Sequence, residues 1–355
     1  MKEALTYDDL LLQPQYSDIK SRKEINLKPT DVKLGEDRQL AIPIISSPMD
    51  TVTEADMCNA MDAAGGLGII HRYNTVEEQT RIVGKVEDSV YYDDWNKPIT
   101  PNYACAIGAT GDYYERLCSL YMRGCRTFCI DIAHGHHIVM KEALAKIKLH
   151  PARSYFTVIA GNVATSEGAW DLQSWGADIV KVGIGGGSIC STRIETGHGV
   201  PNVEALSQIA DMRKIHKLDF GIIADGGIKS AGDVVKALAL GADYVMLGSM
   251  LAGTDETPGI IHTSNSGRKI KEYRGMASPE SQLAWKGSVS SEEGIATYIP
   301  AKGPVSRVLE HIDKGLRSGL SYTGARTIKE LQTKAKFIRQ SNSSKVESST
   351  HILNK

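Results

Sequence analysis

Four glycines in five positions, Gly183, Gly185, Gly186 and Gly187, stand directly before Ser188 and Cys190 in the stretch VKVGIGGGSICSTR. Backbone this bare bends tightly and can turn amide N–H groups toward an anion, and Ser188 adds a hydroxyl donor. The stretch is not a P-loop, because no Gly-Lys-Ser/Thr follows, and Ser188 stands where a dinucleotide fingerprint needs its last glycine. Cys190 lies just past this cradle. Amide dipoles together with Arg193 would favour its thiolate, which makes it a candidate nucleophile toward electron-poor carbon such as C2 of a purine. The bland alternative, a small buried thiol, suits Cys58, Cys105, Cys118, Cys125 and Cys129, which are scattered without a Cys-x-x-Cys pair.

Other residues could do chemistry of their own. His134, His136 and His137 in DIAHGHH invite a metal, but the set lacks a completing carboxylate, and hydrogen bonding at a loop serves equally well. Asp131 ends an apolar run, where a carboxylate could orient a cofactor amide or ribose. Met49 and Met276 could lay a soft thioether against a flat base.

These residues need elements to hold them. Eight β-branched runs recur: 42–50, 67–72, 104–109, 127–135, 156–162, 178–185, 221–227 and 244–249. Between most of them lie helix-like segments, several opened by Ser or Thr and closed by Gly. Continuously apolar strands alternating with helices indicate a parallel sheet covered on both faces, and eight of them indicate a closed (β/α)8 TIM barrel, an α/β fold. In that fold the loops after the strands share one mouth, so SSPMD, HRY, DIAHGHH, AGN, the cysteine loop, ADGG and GS would converge there. Loops after strands seven and eight commonly bind phosphate, which points to a phosphorylated substrate. Residues 250–303 show no helical period and read as a long insertion after strand eight, a finger or flap. The segment VSRVLEHIDKGLRSGL closes a single catalytic barrel over 1–340. The polar tail from Ser341 is expected to be ordered only by a neighbouring subunit.

Lys+Arg 41 against Asp+Glu 42 leaves a net charge of −1, so no basic field advertises nucleic acid or an anionic membrane. Acids interrupt the N-terminal segment where a signal peptide is apolar, and no run approaches membrane-spanning length; a cytoplasmic protein is expected.

The motifs LTYDDLLLQP, PIISSPMDTVTEADM, GGLGIIHR, AGNVAT, VKVGIGGGSICSTR, TGHGVPN, IIADGGI, VMLGSMLAGTDETPG, YRGM and GLRSGLSYTGA together resemble the IMP dehydrogenase / GMP reductase family over residues 5–340. The resemblance implies that Cys190 attacks purine C2 of a nucleoside monophosphate, with hydride passing to or from a nicotinamide cofactor. It gives Thr192 and Glu293 proton-handling roles. Ser188, Gly226, Gly227, Gly248, Ser249 and Tyr273 fall on phosphate-holding positions, and Asp225 on the ribose carboxylate. Ser47, Met49, Gly275 and Met276 fall around the base, and Asp131, Ala133 and Asn162 on the cofactor side. The carbonyls of Gly183, Gly185 and Cys190 correspond to a potassium site, and the family implies a homotetramer.

Departures from the family pattern select the reaction. Only about thirty residues separate His71 from Ala104, too few for the paired regulatory module usual in dehydrogenases. The interval ASPESQLAWKGSVSSE carries neither Arg nor Tyr, the dehydrogenase pair that activates water. The expected activity is therefore NADPH-dependent reductive deamination of GMP to IMP and ammonia. The alternatives are an IMP dehydrogenase using NAD with another water activator, and a nucleotide-binding homologue without turnover. The proline usual in the cysteine loop is Gly186 here.

Overall fold

The structure, a computed structural model, describes residues 3–29, 39–89, 91–92, 98–99, 101–290 and 292–348. Eight parallel strands close into a barrel: β1 Ile44–Ser46, β2 Leu67–Ile70, β3 Tyr103–Ile107, β4 Thr127–Asp131, β5 Thr157–Val163, β6 Ile179–Val182, β7 Gly221–Asp225 and β8 Tyr244–Leu247. Each lies within or overlaps one of the eight runs read from the sequence. The closing pair is β8 with β1, in register from Val245 on Ile44 to Leu247 on Ser46. Among the described residues no helix is long and apolar enough to cross a membrane.

Alternation along the strands divides the core in two. Ile45, Leu67, Ile69, Cys129, Ile159, Ile179, Ile223 and Met246 fill the barrel axis, while Ile44, Phe128, Ile130, Val158, Val180 and Ile222 pack outward beneath the helices. The longer helices are α1 Ala55–Ala63, α2 Val76–Glu87, α3 Tyr113–Met122, α4 Ile138–Lys148, α5 Ser166–Trp175, α6 Asn202–Ile215, α7 Ala231–Ala239, α8 Pro279–Lys286 and α9 Val305–Thr323. Thr75, Thr165 and Ser230 accept from backbone N–H groups at the starts of α2, α5 and α7, as the sequence predicts for capped helices. The amphipathic α9 buries Leu309, Ile312, Leu316 and Leu320 and packs against α7, completing the helical ring.

Two regions carry more structure than their apolar periods display. The insertion after β8 is folded: strands β9 His262–Thr263, β10 Lys269–Arg274 and β11 Ala296–Pro300 form an antiparallel sheet, and α8 is a genuine helix. Its signal is capping chemistry instead of apolar period, since Ser278 caps it, Pro279 opens it and Gly287 ends it in the left-handed conformation, while Leu283 stays 53 % exposed. The tail also begins inside this chain's own fold. Phe337–Arg339 pairs with Leu10–Leu12, the segment Asn342–Glu347 is helical, and Lys345 pairs with Asp9. Residues 349–355 lie outside the described residues.

Candidate active site

All nineteen residues singled out as candidate site positions line one cavity of about 290 Å³ at the carboxyl end of the barrel. Cys190, half-buried, is among them. Its Sγ donates to Thr192 Oγ1 at 3.2 Å, and Thr192 Oγ1 donates to Glu293 Oε2 at 2.8 Å, so thiol, hydroxyl and carboxylate form one chain. Main-chain pairing brings the acid there. Ser191 N donates to the Glu293 carbonyl and Ile295 N to the Ile189 carbonyl, around an antiparallel bridge between Cys190 and Gly294. Gly275 lies close enough that a Cβ there would be 3.3 Å from both Gly294 Cα and the Ile189 oxygen. The neighbouring Glu292 is exposed and offers only its carbonyl, to Ser191 Oγ.

A second cluster lines the same cavity. Ser47 Oγ, Met49 Sδ and the Tyr273 hydroxyl all lie 3.2–3.4 Å from where a Cβ would project at Gly248. Tyr273 is buried, which pushes its hydroxyl up, while its hydrogen bond to Ser188 pulls the other way. Ser47 Oγ is buried without a protein partner, a hydroxyl left for a ligand. Met276 Sδ accepts from Asp50 N at 3.4 Å, and Asp50 anchors Arg274 at 2.6 Å, fixing the finger to the β1 loop. With Ser249, Gly226 and Gly227 on the same wall, small residues and hydroxyls surround a space suited to a phosphate.

The residue that sequence reasoning missed is Lys181. It lies inside the apolar run of β6, yet alternation with Ile179 points it into the barrel, where it is 3 % exposed. Its Nζ is 2.8 Å from Asp131 Oδ1 and 2.8 Å from Asp225 Oδ2, and it also donates to Asn162 Oδ1. Burial opposes its charge, but the two carboxylates outweigh burial and raise its pKa. Burial likewise opposes ionised Asp131, and Lys181, then Arg72, more than reverse it, so that carboxyl is held below its ordinary value. Asn162 closes the network through Nδ2, at 2.8 Å from Asp225 and 2.6 Å from the Gly183 carbonyl. Beyond Asp131 and Ala133 the cavity is walled by Arg72 and by Tyr73, whose ring stacks on Trp285 of α8 at 4.7 Å between centroids.

The glycines of the cysteine loop have a reason the sequence does not display. A Cβ at Gly183 would sit 2.0 Å from the Asp225 oxygen, and Cβ atoms at Gly185 and Gly199 would each meet the Arg193 stem at 2.6 Å. Close approach of the chain to itself therefore requires them, quite apart from any ligand. Arg193 is a brace: its guanidinium donates to the carbonyls of Ile184 and Val200 at 3.3 and 2.7 Å. Of the three carbonyls assigned to potassium, that of Gly183 accepts from Asn162 Nδ2. Among the described residues no group of three or more His, Cys, Asp or Glu could hold a metal, and His136 pairs with Asp171 at 2.9 Å.

Comparison with known proteins agrees with this geometry. The family model "IMP dehydrogenase / GMP reductase domain" matches residues 4–351. The chain is 35 % identical to an inosine-5'-monophosphate dehydrogenase of Nitrosopumilus maritimus, over 99 % of this chain and 98 % of that one. It is 31 % identical to a GMP reductase of Leishmania donovani, over 100 % and 98 %. A crystal structure of a cysteine-to-alanine variant of GMP reductase from Trypanosoma brucei, in complex with guanosine 5'-monophosphate, superposes with a TM-score of 0.91 at 28 % identity, covering 99 % of this chain and 98 % of that one.

Proposed function

Since the chain belongs to the IMP dehydrogenase / GMP reductase family and is therefore an oxidoreductase, we propose that it reduces GMP to IMP with release of ammonia. The observation that carries this reading is the continuous Cys190–Thr192–Glu293 chain, combined with an interval 277–292 that holds no Arg or Tyr. A hydroxyl backed by a carboxylate suits proton delivery to a departing amine, whereas hydrolysis of the same intermediate needs a base that activates water.

In the first step the Cys190 sulfur bonds to C2 of GMP and the C2–N bond breaks. Protons relayed through Thr192 and Glu293 leave with the amine as ammonia, and the purine remains on sulfur as a thioimidate. When bound beside Asp131 and Ala133, NADPH would supply the hydride that C2 accepts. As that C–H bond forms, the C–S bond breaks and IMP departs from the restored thiolate. Tyr273, Ser188, Ser249 and the glycines at 226, 227 and 248 hold the phosphate, and Asp225 the ribose. Ser47 Oγ, otherwise unpaired, serves the base with Met49, Gly275 and Met276. Asp131, Ala133 and Asn162, together with the Arg72 and Tyr73 wall, fit the nicotinamide end. A square tetramer is the assembly in which this reading places the chain.

IMP dehydrogenation with NAD is the second reading, favoured by the 35 % identity to a dehydrogenase. The test is nicotinamide absorbance with purified protein given GMP plus NADPH, or IMP plus NAD. Oxidation of NADPH dependent on GMP is expected, and it should vanish in Cys190→Ala. Reduction of NAD by IMP without the GMP reaction would replace the assignment with the second reading; turnover that survives Cys190→Ala would remove both.

A further inference from the structure

Asn202 opens α6 and is 8 % exposed. Its amide fills two notches at once. A Cβ at Gly186 would lie 2.5 Å from both Nδ2 and Oδ1 of Asn202, and a Cβ at Gly227 would lie 2.6 Å from Nδ2. Between those notches Nδ2 donates to the Gly226 carbonyl at 2.5 Å. One side chain therefore touches both the loop that carries Ser188 and Cys190 and the loop that follows Asp225. Oδ1 is buried with no partner, so the amide contributes one hydrogen bond and its volume. It has little freedom to retreat, because Val203, Ala205 and Leu206 of the same helical turn are buried.

We propose that Asn202 is a positioning residue: interlocked with Gly186 and Gly227, it sets the spacing between the cysteine loop and the loop after β7, and so the distance from the phosphate cradle to the thiol. A methyl group at position 186 cannot share the space with the amide, and an interior this dense leaves one of the two to move. The loop moves, since the helix is anchored. Gly186 is needed because Asn202 is present, and with a smaller residue at 202 the need disappears.

Gly186→Ala, Asn202→Ala and the double variant test this. The first readout is the rate of Cys190 alkylation by iodoacetamide, followed on its own peptide by mass spectrometry, which requires no substrate. The second is KM for GMP against kcat, and only this one rests on the proposed function. Gly186→Ala in the native background should change the alkylation rate and raise KM by about tenfold, more than it lowers kcat; in the Asn202→Ala background the same change should cost less than about twofold. Equal costs in both backgrounds, or no effect in the native one, overturn the interlock. If Gly186→Ala alone fails to fold, a folded double variant supports the interlock, and a double variant that fails while Asn202→Ala folds overturns it. Were the wild-type protein to turn over no GMP, the proposed reaction would fall while the alkylation comparison still decided the interlock.

Discussion

The barrel interior has a floor and a ceiling built from the same strands. At the floor Ile159, Ile179 and Ile223 meet on the axis, fully buried and without a polar group. Two residues further along, Lys181 of β6 and Asp225 of β7 face the same interior and join Asp131 of β4 in a charged triad. One pleat of backbone separates dry packing from electrostatics. The floor fixes where the strands lie, so the ceiling can hold opposite charges at 2.8 Å on rigid supports, which loops could not do as well.

The sharpest way to break that contrast is to make the ceiling resemble the floor. Lys181→Met keeps the length and removes the charge, leaving Asp225 without its ion pair and Asp131 with Arg72 alone. A loss of about 3–5 kcal/mol in urea unfolding is expected, and Lys181→Arg should lose less. The pH dependence follows from the shifts. Asp131 is held below its ordinary value, so its stabilising effect is present above the unfolded carboxyl pKa and is lost on acidification through the lower folded one. Lys181 is held above its ordinary value, so its share is full below the unfolded lysine pKa and fades only as pH rises through the higher folded one. In Lys181→Met, proton uptake by a carboxylate relieves the repulsion, so the stability gap to wild type should narrow as pH is lowered from about 8 to about 5. A gap that widens on acidification would show that the triad is not what the substitution disturbs.

The floor answers differently. Ile159→Ala should cost about 2–4 kcal/mol of unfolding free energy through the cavity it leaves, with KM for nucleotide little changed. If KM shifted as far as stability, floor and ceiling would not be separable. The smallest expected effect on stability lies at the rim, where Glu293→Gln keeps shape and hydrogen bond but loses the proton acceptor. It should lower kcat about a hundredfold, with Tm and nucleotide binding held; equal losses in kcat and binding would make Glu293 a binding residue.

Eight strands are legible because each is a short apolar run closed by small or polar residues. The convergence of Ser47, Asp225, Gly248 and Cys190 follows from their places at strand ends. Lys181 is written in the very stretch that carries Cys190, but the surrounding valines read as a buried strand and hide the charge among them. The period-two pattern Ile179–Lys181, set beside Cys129–Asp131 and Ile223–Asp225, contains the signal, because a lysine in the middle of an apolar barrel strand needs carboxylates on the neighbouring strands. The purposes of Gly185 and Gly186 are not legible, because the atoms they admit belong to Arg193 and Asn202 and meet them only after folding. The finger helix α8 escapes a search for apolar period because its one long aliphatic residue, Leu283, faces outward.

The short ribbon joining Ile189–Ser191 to Glu293–Ile295 carries a consequence for fidelity. Two acids stand side by side in that finger, and strand pairing alone decides which of them reaches Thr192. A frame slip of one residue would aim Glu293 outward and set Glu292 in its place with altered reach. The proposed proton path is thus protected by registration between two backbones, so a finger substitution that touches neither acid nor thiol could still silence the enzyme by misaligning the ribbon.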